Sequence, residues 1–376
     1  MDFRLYFRSR QGEMIHLLKQ ITTLESPTND KKAVDACAAF VARELKKIGC
    51  KVTTLPQKDI GDLTVAEFAP GRLKDADDEI LLLTHIDTVW PVGKITKMPF
   101  YVSGNKLYGP GVLDMKAGVV MLLTALRTLH SLNVKPQKRI TLVINSAEET
   151  GHPAAHDTIR KLARKASLAL CLEPALTGGA LKLERKGRLV VRLDVRGRAA
   201  HGGSPEKGIS AIEELVTQLS RLKRLRTGET TVNIGCVGGG EKVNVVAENA
   251  WAVLDIRFWK STDRDRVLKI LREAVPALGG ARIKVSVEST MPPMEKTKAS
   301  ERLFTRAQEI AGAMGLSLRG GKTGGGSDAS IAAGLGIPTL DGLGPDGDGI
   351  HAEHEHLLLS SLIERTALLT ELIKDL

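Results

Sequence analysis

Aromatic residues are scarce, 3 % of 376 positions, which leaves little stacking surface for nucleic-acid bases. Only four cysteines occur, Cys37, Cys50, Cys171 and Cys236, far apart and with no CxxC pair. This argues against a thiolate metal centre and a disulfide framework, and the expected role of all four is core packing. No apolar run approaches the roughly 18 residues of a membrane span; the longest, 118–126 and 139–145, suit a buried helix or strand. The first twenty residues lack the apolar stretch and small-residue cleavage site of a secretory signal, so the expected compartment is the cytoplasm. Two nucleophile and phosphate motifs are also missing. Gly321-Lys322-Thr323 ends like a P-loop, but Leu316 stands where the earlier glycine is required, and Glu206 breaks a Gly-x-Ser-x-Gly elbow around Ser204.

What is present is ample material for packed cores, 42 % hydrophobic and 26 % charged residues, over a length that fits about two domains. The net charge is +10, and residues 177–290 alone hold 21 Lys or Arg against 13 Asp or Glu. These basic residues are dispersed along strands and a helix instead of forming an arm. With so few aromatics, that argues against nucleic acid and for a field that draws in anionic substrates.

Up to about residue 176 helix and strand alternate, which favours a mainly parallel sheet covered by helices. Asn29 or Asp30 can cap a helix running through Val34, Phe40, Val41, Leu45 and Ile48 to Gly49. The unbroken runs 80–84, 139–145 and 167–173 read as doubly covered strands, with helices from near Gly118 and over 156–166. From 177 the pattern changes. Residues 187–197 alternate apolar and charged, as do 250–259 and 281–289, and a helix from about 209 carries Ile209, Ile212, Leu215, Val216, Leu219 and Leu222 on one face. This reads as an inserted α+β domain of two layers, helices on an antiparallel sheet, over 177–290. The α/β pattern resumes at 291–376 with a helix over 300–314, a glycine loop, a strand at 337–340 and a C-terminal helix.

Ligands of open α/β sheets bind beyond the carboxyl ends of the strands, and polar residues recur there. His85 and Asp87 follow the strand at 80–84, Glu148 and Glu149 follow that at 139–145, Glu173 ends a third, and Asp114 precedes the helix near Gly118. Crowded carboxylates repel unless cations neutralise them, so a histidine among them points to a divalent transition metal. A second group, His351, His354 and His356, lies near the end. His354 and His356 read as the exposed start of the last helix, whereas His351 ends a glycine-rich loop after a strand and can face the site.

HID (85–87), GPGVLDMKAG (109–118), EE with TG (148–151), EP (173–174), AAHGGSP (199–205), TGGGSDAS (323–330) and His351 occur in that order. As an ordered set they resemble the two-zinc metallopeptidases that include glutamate carboxypeptidase of the carboxypeptidase-G type, succinyl-diaminopimelate desuccinylase, acetylornithine deacetylase and aminoacylase. The resemblance implies a zinc-exopeptidase-like α/β catalytic domain interrupted by a ferredoxin-like lid that is also the dimer interface. It implies two Zn2+ per subunit, with Co2+ or Mn2+ as substitutes. Asp114 would bridge them, one ion taking His85 and Glu173, the other Glu149 and His351. Asp87 would accept the second imidazole N–H of His85, Glu148 would be the general base, and a cis peptide would follow Asp114. His201, in the AHGGSP motif, would act on the oxyanion from the partner subunit of a homodimer.

On the substrate side Arg257 resembles the family arginine that holds a substrate carboxylate; an ion pair with Asp255 or Asp194 is the alternative. Asn244 matches another lid position near the substrate, and Gly325 and Gly326 belong to a loop whose backbone can approach the ligand. One position departs from the family. Ala180 stands where carboxypeptidase-G-type enzymes carry a lysine for the glutamate side chain, with Lys182 two residues on. The expected reaction is hydrolysis of an N-acyl amino acid or small peptide with a free carboxylate. The rivals are an N-acetyl or N-succinyl amino acid deacylase and a non-catalytic ligand-binding relative.

Overall fold

The computed structural model describes residues 1–69 and 78–376. Two compact units emerge: Met1–Leu183 with Lys296–Lys322 and Ser327–Leu376, and Glu184–Glu295 with Thr323–Gly326. No helix among the described residues is long and apolar enough to cross a membrane.

The first unit is built on a six-stranded sheet in the order Lys51–Leu55, Leu63–Phe68, Arg139–Asn145, Glu79–His85, Leu168–Cys171, Thr339–Leu340. The last four run parallel; Leu63–Phe68 is antiparallel to its neighbours on both sides. Ile80, Leu81, Leu82 and Leu83 are wholly buried, as an unbroken apolar run must be when both sheet faces are covered. Truncating one of them to alanine would cost about 2–5 kcal/mol. The helix Lys31–Lys47 starts where Asp30 accepts the Ala33 N–H at 3.0 Å, and Gly49 (φ 92°) turns the chain after it. The helix Ala117–Ser131 is apolar nearly all round and buried along most of its length. The helix expected over 156–166 instead spans Pro153–Ala163, because His152 caps it and Pro153 supplies a pre-set first residue. Cys37, Cys50 and Cys171 are buried, but Cys236 is exposed, so core packing does not hold for that one.

The second unit runs strand Gly187–Arg196, helix Ala211–Lys223, strands Thr231–Gly239 and Asn249–Phe258, helix Ser261–Arg272, strand Arg282–Met291. All three pairings are antiparallel, with Gly187–Arg196 and Asn249–Phe258 in the middle, which is the ferredoxin-like arrangement. Strict alternation buries Leu189, Val191, Leu193 and Val195 from one strand and Ala250, Ala252, Leu254, Ile256 and Phe258 from the next. These close on Leu215, Leu219, Val267 and Leu271 of the helices. The opposite sheet face carries the charged residues.

Candidate active site

Four segments of the first unit meet beyond the carboxyl ends of its parallel strands. His85 closes Glu79–His85, Glu148 and Glu149 sit in the loop after Arg139–Asn145, Glu173 lies just past Leu168–Cys171, and Asp114 sits in the irregular turn that feeds Ala117–Ser131. The Asp114–Met115 peptide is cis. His351 arrives from the C-terminal segment at φ 60°, at the end of the second glycine-rich loop.

The two oxygens of Asp114 face two different histidines. Oδ1 lies 3.2 Å from His85 Nε2, and Oδ2 lies 3.4 Å from His351 Nε2. Glu173 Oε1 is 3.5 Å from His85 Nε2, and Glu149 Oε2 is 3.2 Å from His351 Nε2. His85, Glu148 and Glu173 offer ligand atoms within 4.8 Å of one another, and so do His85, Asp114 and Glu149. The spacing identifies what the cluster fits. Charge-assisted N–H···O bonds are about 2.7–2.9 Å long, whereas two ligand atoms on one tetrahedral zinc, each about 2.05 Å away, stand about 3.3 Å apart. The observed 3.2–3.5 Å separations match the edge of such a tetrahedron, and the imidazole and carboxylate donors suit zinc.

The electrostatics are those of an acid cluster short of cations. Burial pushes the Glu148 carboxyl well above the usual carboxylate range, and the Glu173 charge adds to this. Burial likewise raises Glu149. Burial opposes ionisation of Asp114 too, but its contacts with His351 and His85 outweigh that and hold it far below the ordinary value. Burial alone would lower His85; Asp114, Asp87 and Glu173 reverse this and raise it. Asp114 and Glu149 lift His351 to about 10. A ligating imidazole is neutral, so binding of a divalent ion here would displace any proton that His85 or His351 carries on Nε2.

The surroundings orient these groups. Asp87, wholly buried, does not act quite as expected: His85 Nδ1 bonds the Asp87 backbone carbonyl at 3.0 Å, with the side-chain Oδ1 farther off at 3.5 Å. The carboxylate instead accepts the Glu148 and Glu149 N–H groups at 3.1 and 3.2 Å and the Thr28 hydroxyl at 2.7 Å, fixing the loop that presents both glutamates. Asn145 and Asp328 were not anticipated. Asn145 Nδ2 donates to Asp328 at 2.8 Å while its oxygen accepts the Ala147 N–H, and burial pushes Asp328 up to about 7. Glu355 was missed as well, hidden in a run that reads as exposed helix. Of His354 and His356, His354 alone is exposed. His356 is buried in the strand His356–Leu358 with its ring 5.0 Å from that of Tyr108, and the last helix starts at Leu359. Lys182 is a buried residue of the first unit whose N–H donates to the Asp341 carbonyl at 2.8 Å.

The remaining sequence-derived residues belong to the second unit. His201 is exposed, and its Nδ1 accepts the Gly203 N–H at 3.0 Å, so the proton of the neutral ring sits on Nε2. Asn244 is exposed on the adjoining segment and its carbonyl accepts the Gly202 N–H. Arg257 does form the alternative ion pair: Nε and Nη2 reach Asp255 at 2.9 and 3.3 Å, and Nη1 donates to Gly324 O at 2.8 Å. Arg185 Nη1 donates to the carbonyls of Gly325 and Gly326 at 3.1 and 2.8 Å. None of Gly324, Gly325 and Gly326 has a positive φ. Nothing lies within 4 Å of a Cβ built at Gly324, so glycine there leaves the backbone open instead of enabling an unusual turn.

An α/β sheet with paired histidine–carboxylate sets beyond its parallel strands, interrupted by a ferredoxin-like insertion, defines a metal-dependent hydrolase. The chain belongs to peptidase family M20/M25/M40, whose profile matches residues 81–375. It is 32 % identical to carboxypeptidase G2 of Pseudomonas sp. (strain RS-16) over 97 % of this chain and 90 % of that protein. Two solved structures share the fold. Aminopeptidase PepT from Bacillus cereus superposes with a TM-score of 0.79 at 22 % identity, covering 97 % of this chain and 98 % of its own. The YXEP protein of Bacillus subtilis, a dinuclear metal-binding peptidase of the M20 family, gives 0.73 at 15 % identity with the same coverage.

Proposed function

We propose that this hydrolase is a glutamate carboxypeptidase-like enzyme, cleaving the amide bond of an N-acyl amino acid or small peptide and releasing an amino acid with a free carboxylate. The observation that carries the reading is Asp114 facing His85–Glu173 with one oxygen and His351–Glu149 with the other. His85, Glu173 and Asp114 would hold one Zn2+, and His351, Glu149 and Asp114 a second, with Co2+ or Mn2+ able to replace them. Such a pair, when bound, polarises a carbonyl and acidifies a water.

The chain's own groups do the rest. Glu148 takes the proton of the attacking water and returns it to the leaving amine nitrogen. The strong upward push of burial on its carboxyl suits the return step, since the proton is held until a better base, the departing amine, appears. His201 offers its Nε2–H to the oxygen of the tetrahedral intermediate, acting from a second copy of the chain in a homodimer formed through the inserted domain. Arg257 keeps two of its five N–H groups after serving Asp255 and Gly324. Held rigidly, these can receive the substrate carboxylate, with Asn244 and the Gly325–Gly326 backbone completing the cradle. Lys182 is assigned to the side-chain acid of a released glutamate, in place of the lysine that Ala180 lacks.

The test is product analysis by mass spectrometry of zinc-loaded and chelated protein, incubated with acyl-glutamates, other N-acyl amino acids and dipeptides. Glutamate released only with metal is the expected result. Metal-dependent release of another amino acid would move the enzyme to the deacylase branch, and no turnover with any member would overturn the catalytic reading.

A further inference from the structure

Glu355 is almost fully enclosed, 1 % exposed, and its carboxylate is saturated. Oε1 accepts the N–H groups of Leu113 at 2.9 Å and Asp114 at 3.1 Å. Oε2 accepts the Gly111 N–H and the Trp90 indole Nε1–H, both at 3.0 Å. The backbone adds to this, because the Glu355 carbonyl accepts the Gly109 N–H. The donors lie 241 to 265 residues away in sequence, so none of these bonds is a local cap.

They join three segments: the loop that follows His85 and Asp87, which carries Trp90; the turn that carries Asp114; and the C-terminal segment that carries His351. Four donors leave the two oxygens no capacity for a metal ion. Burying a carboxylate is costly unless its oxygens are met, and here every partner is an N–H. The requirement is for a pure acceptor with two oxygens. A carboxamide has one acceptor oxygen and would turn its NH2 toward two of the four donors.

We propose that Glu355 is a positioning residue that sets the place of Asp114 between the two histidines, so that its oxygens serve both halves of the metal pair. The inference rests on the reading of these residues as metal ligands given above. Supporting groups of this kind change metal affinity by about 10–100-fold when removed.

The test compares wild type, Glu355→Gln, Glu355→Asp and Trp90→Phe at a temperature where circular dichroism shows each variant folded. Zinc is titrated against a chromophoric chelator, and the visible absorption of Co2+-loaded protein is recorded. Wild type is expected to bind two ions. Glu355→Gln should weaken at least one of them tenfold or more and alter the cobalt bands at saturation. Trp90→Phe, which removes a single donor, should stay near wild type. Glu355→Asp keeps the charge but falls a methylene short and should lie between, and it decides the matter if the glutamine variant does not fold. Wild-type affinity and cobalt spectrum in the variants, with only a lowered melting temperature, would make Glu355 an ordinary brace and overturn the proposal. Fewer than two ions on wild type would instead overturn the ligand reading on which it rests.

Discussion

In the first unit the ionisable groups at the strand ends are nearly sealed from solvent, His85 at 1 % and Asp87 at 0 % exposure, and acids outnumber the bases that face them. In the second unit arginines lie on an open sheet face beside acids: Arg188 and Arg257 share Asp255, and Arg192 pairs with Asp194. Surface pairs of that sort contribute only about 0–1 kcal/mol, but they fix the direction of a guanidinium. Sealed, unbalanced charge calls for ions from outside; on the open face a neighbouring acid holds each guanidinium in one direction.

The comparison can be broken most directly at Glu148. Glu148→Ala should lower kcat by about 10²–10⁴-fold while the protein still binds its metal, measured by elemental analysis; turnover within a factor of two of wild type would remove the general-base assignment. Next in size is complementation. Inactive His201→Ala chains mixed with inactive Glu148→Ala chains should regain roughly a quarter of wild-type activity once subunits exchange at random, and proven exchange without recovery would count against a shared site. Arg257→Ala should raise KM by about 10–100-fold with little change in kcat, the signature of lost uniform binding. Arg188 remains beside Asp255 in that variant, so the fold should hold, and an unchanged KM would return Arg257 to a purely structural ion pair.

The smallest effect concerns a buried base away from the ligands. Burial, helped by Arg160, depresses His156 to about 4, and its Nε2 has no partner. The unfolded chain takes up a proton near pH 6.5 and the folded chain only near 4. The stability at stake is therefore present above about pH 6.5 and is lost as pH falls toward 4, roughly 3 kcal/mol at most. Urea titrations from pH 7.5 to 4.5 should show wild type losing stability relative to His156→Phe as pH falls, and parallel curves would refute the shift.

Much of the fold was legible because unit-wide burial leaves a plain mark on sequence. The runs at 80–84 and 139–145 are apolar throughout since both sheet faces are covered, and Gly187–Arg196 alternates since only one is. The donors at strand ends were legible for the same reason, polar residues being unexpected right after such runs. What escaped were residues whose role is set by distant partners. Glu355 meets donors from the other end of the chain, and nothing local separates it from Glu353, which is paired with Lys94 at the surface. Asp87 looked like a partner for the imidazole next to it, but the backbone carbonyl is nearer and frees the carboxylate for a loop about sixty residues on. His356 looked like the helix beyond it because three histidines and two acids in six residues hide a buried three-residue strand.

The order of the sheet also governs when the first unit can close during synthesis. The strand Leu168–Cys171 is completed at its edge by Thr339–Leu340, and His351 follows later still, whereas the whole ferredoxin-like insertion lies between. A ribosome therefore delivers every residue of the insertion's four strands before the first unit can close. Domains tend to fold as they emerge, so the insertion has time to settle while the larger unit waits for its last segment. A nascent chain holding His85, Asp114, Glu149 and Glu173 but not yet His351 has only one of the two facing sets. On the ligand reading proposed above, a product of synthesis interrupted before His351 would lack part of one half of the metal pair.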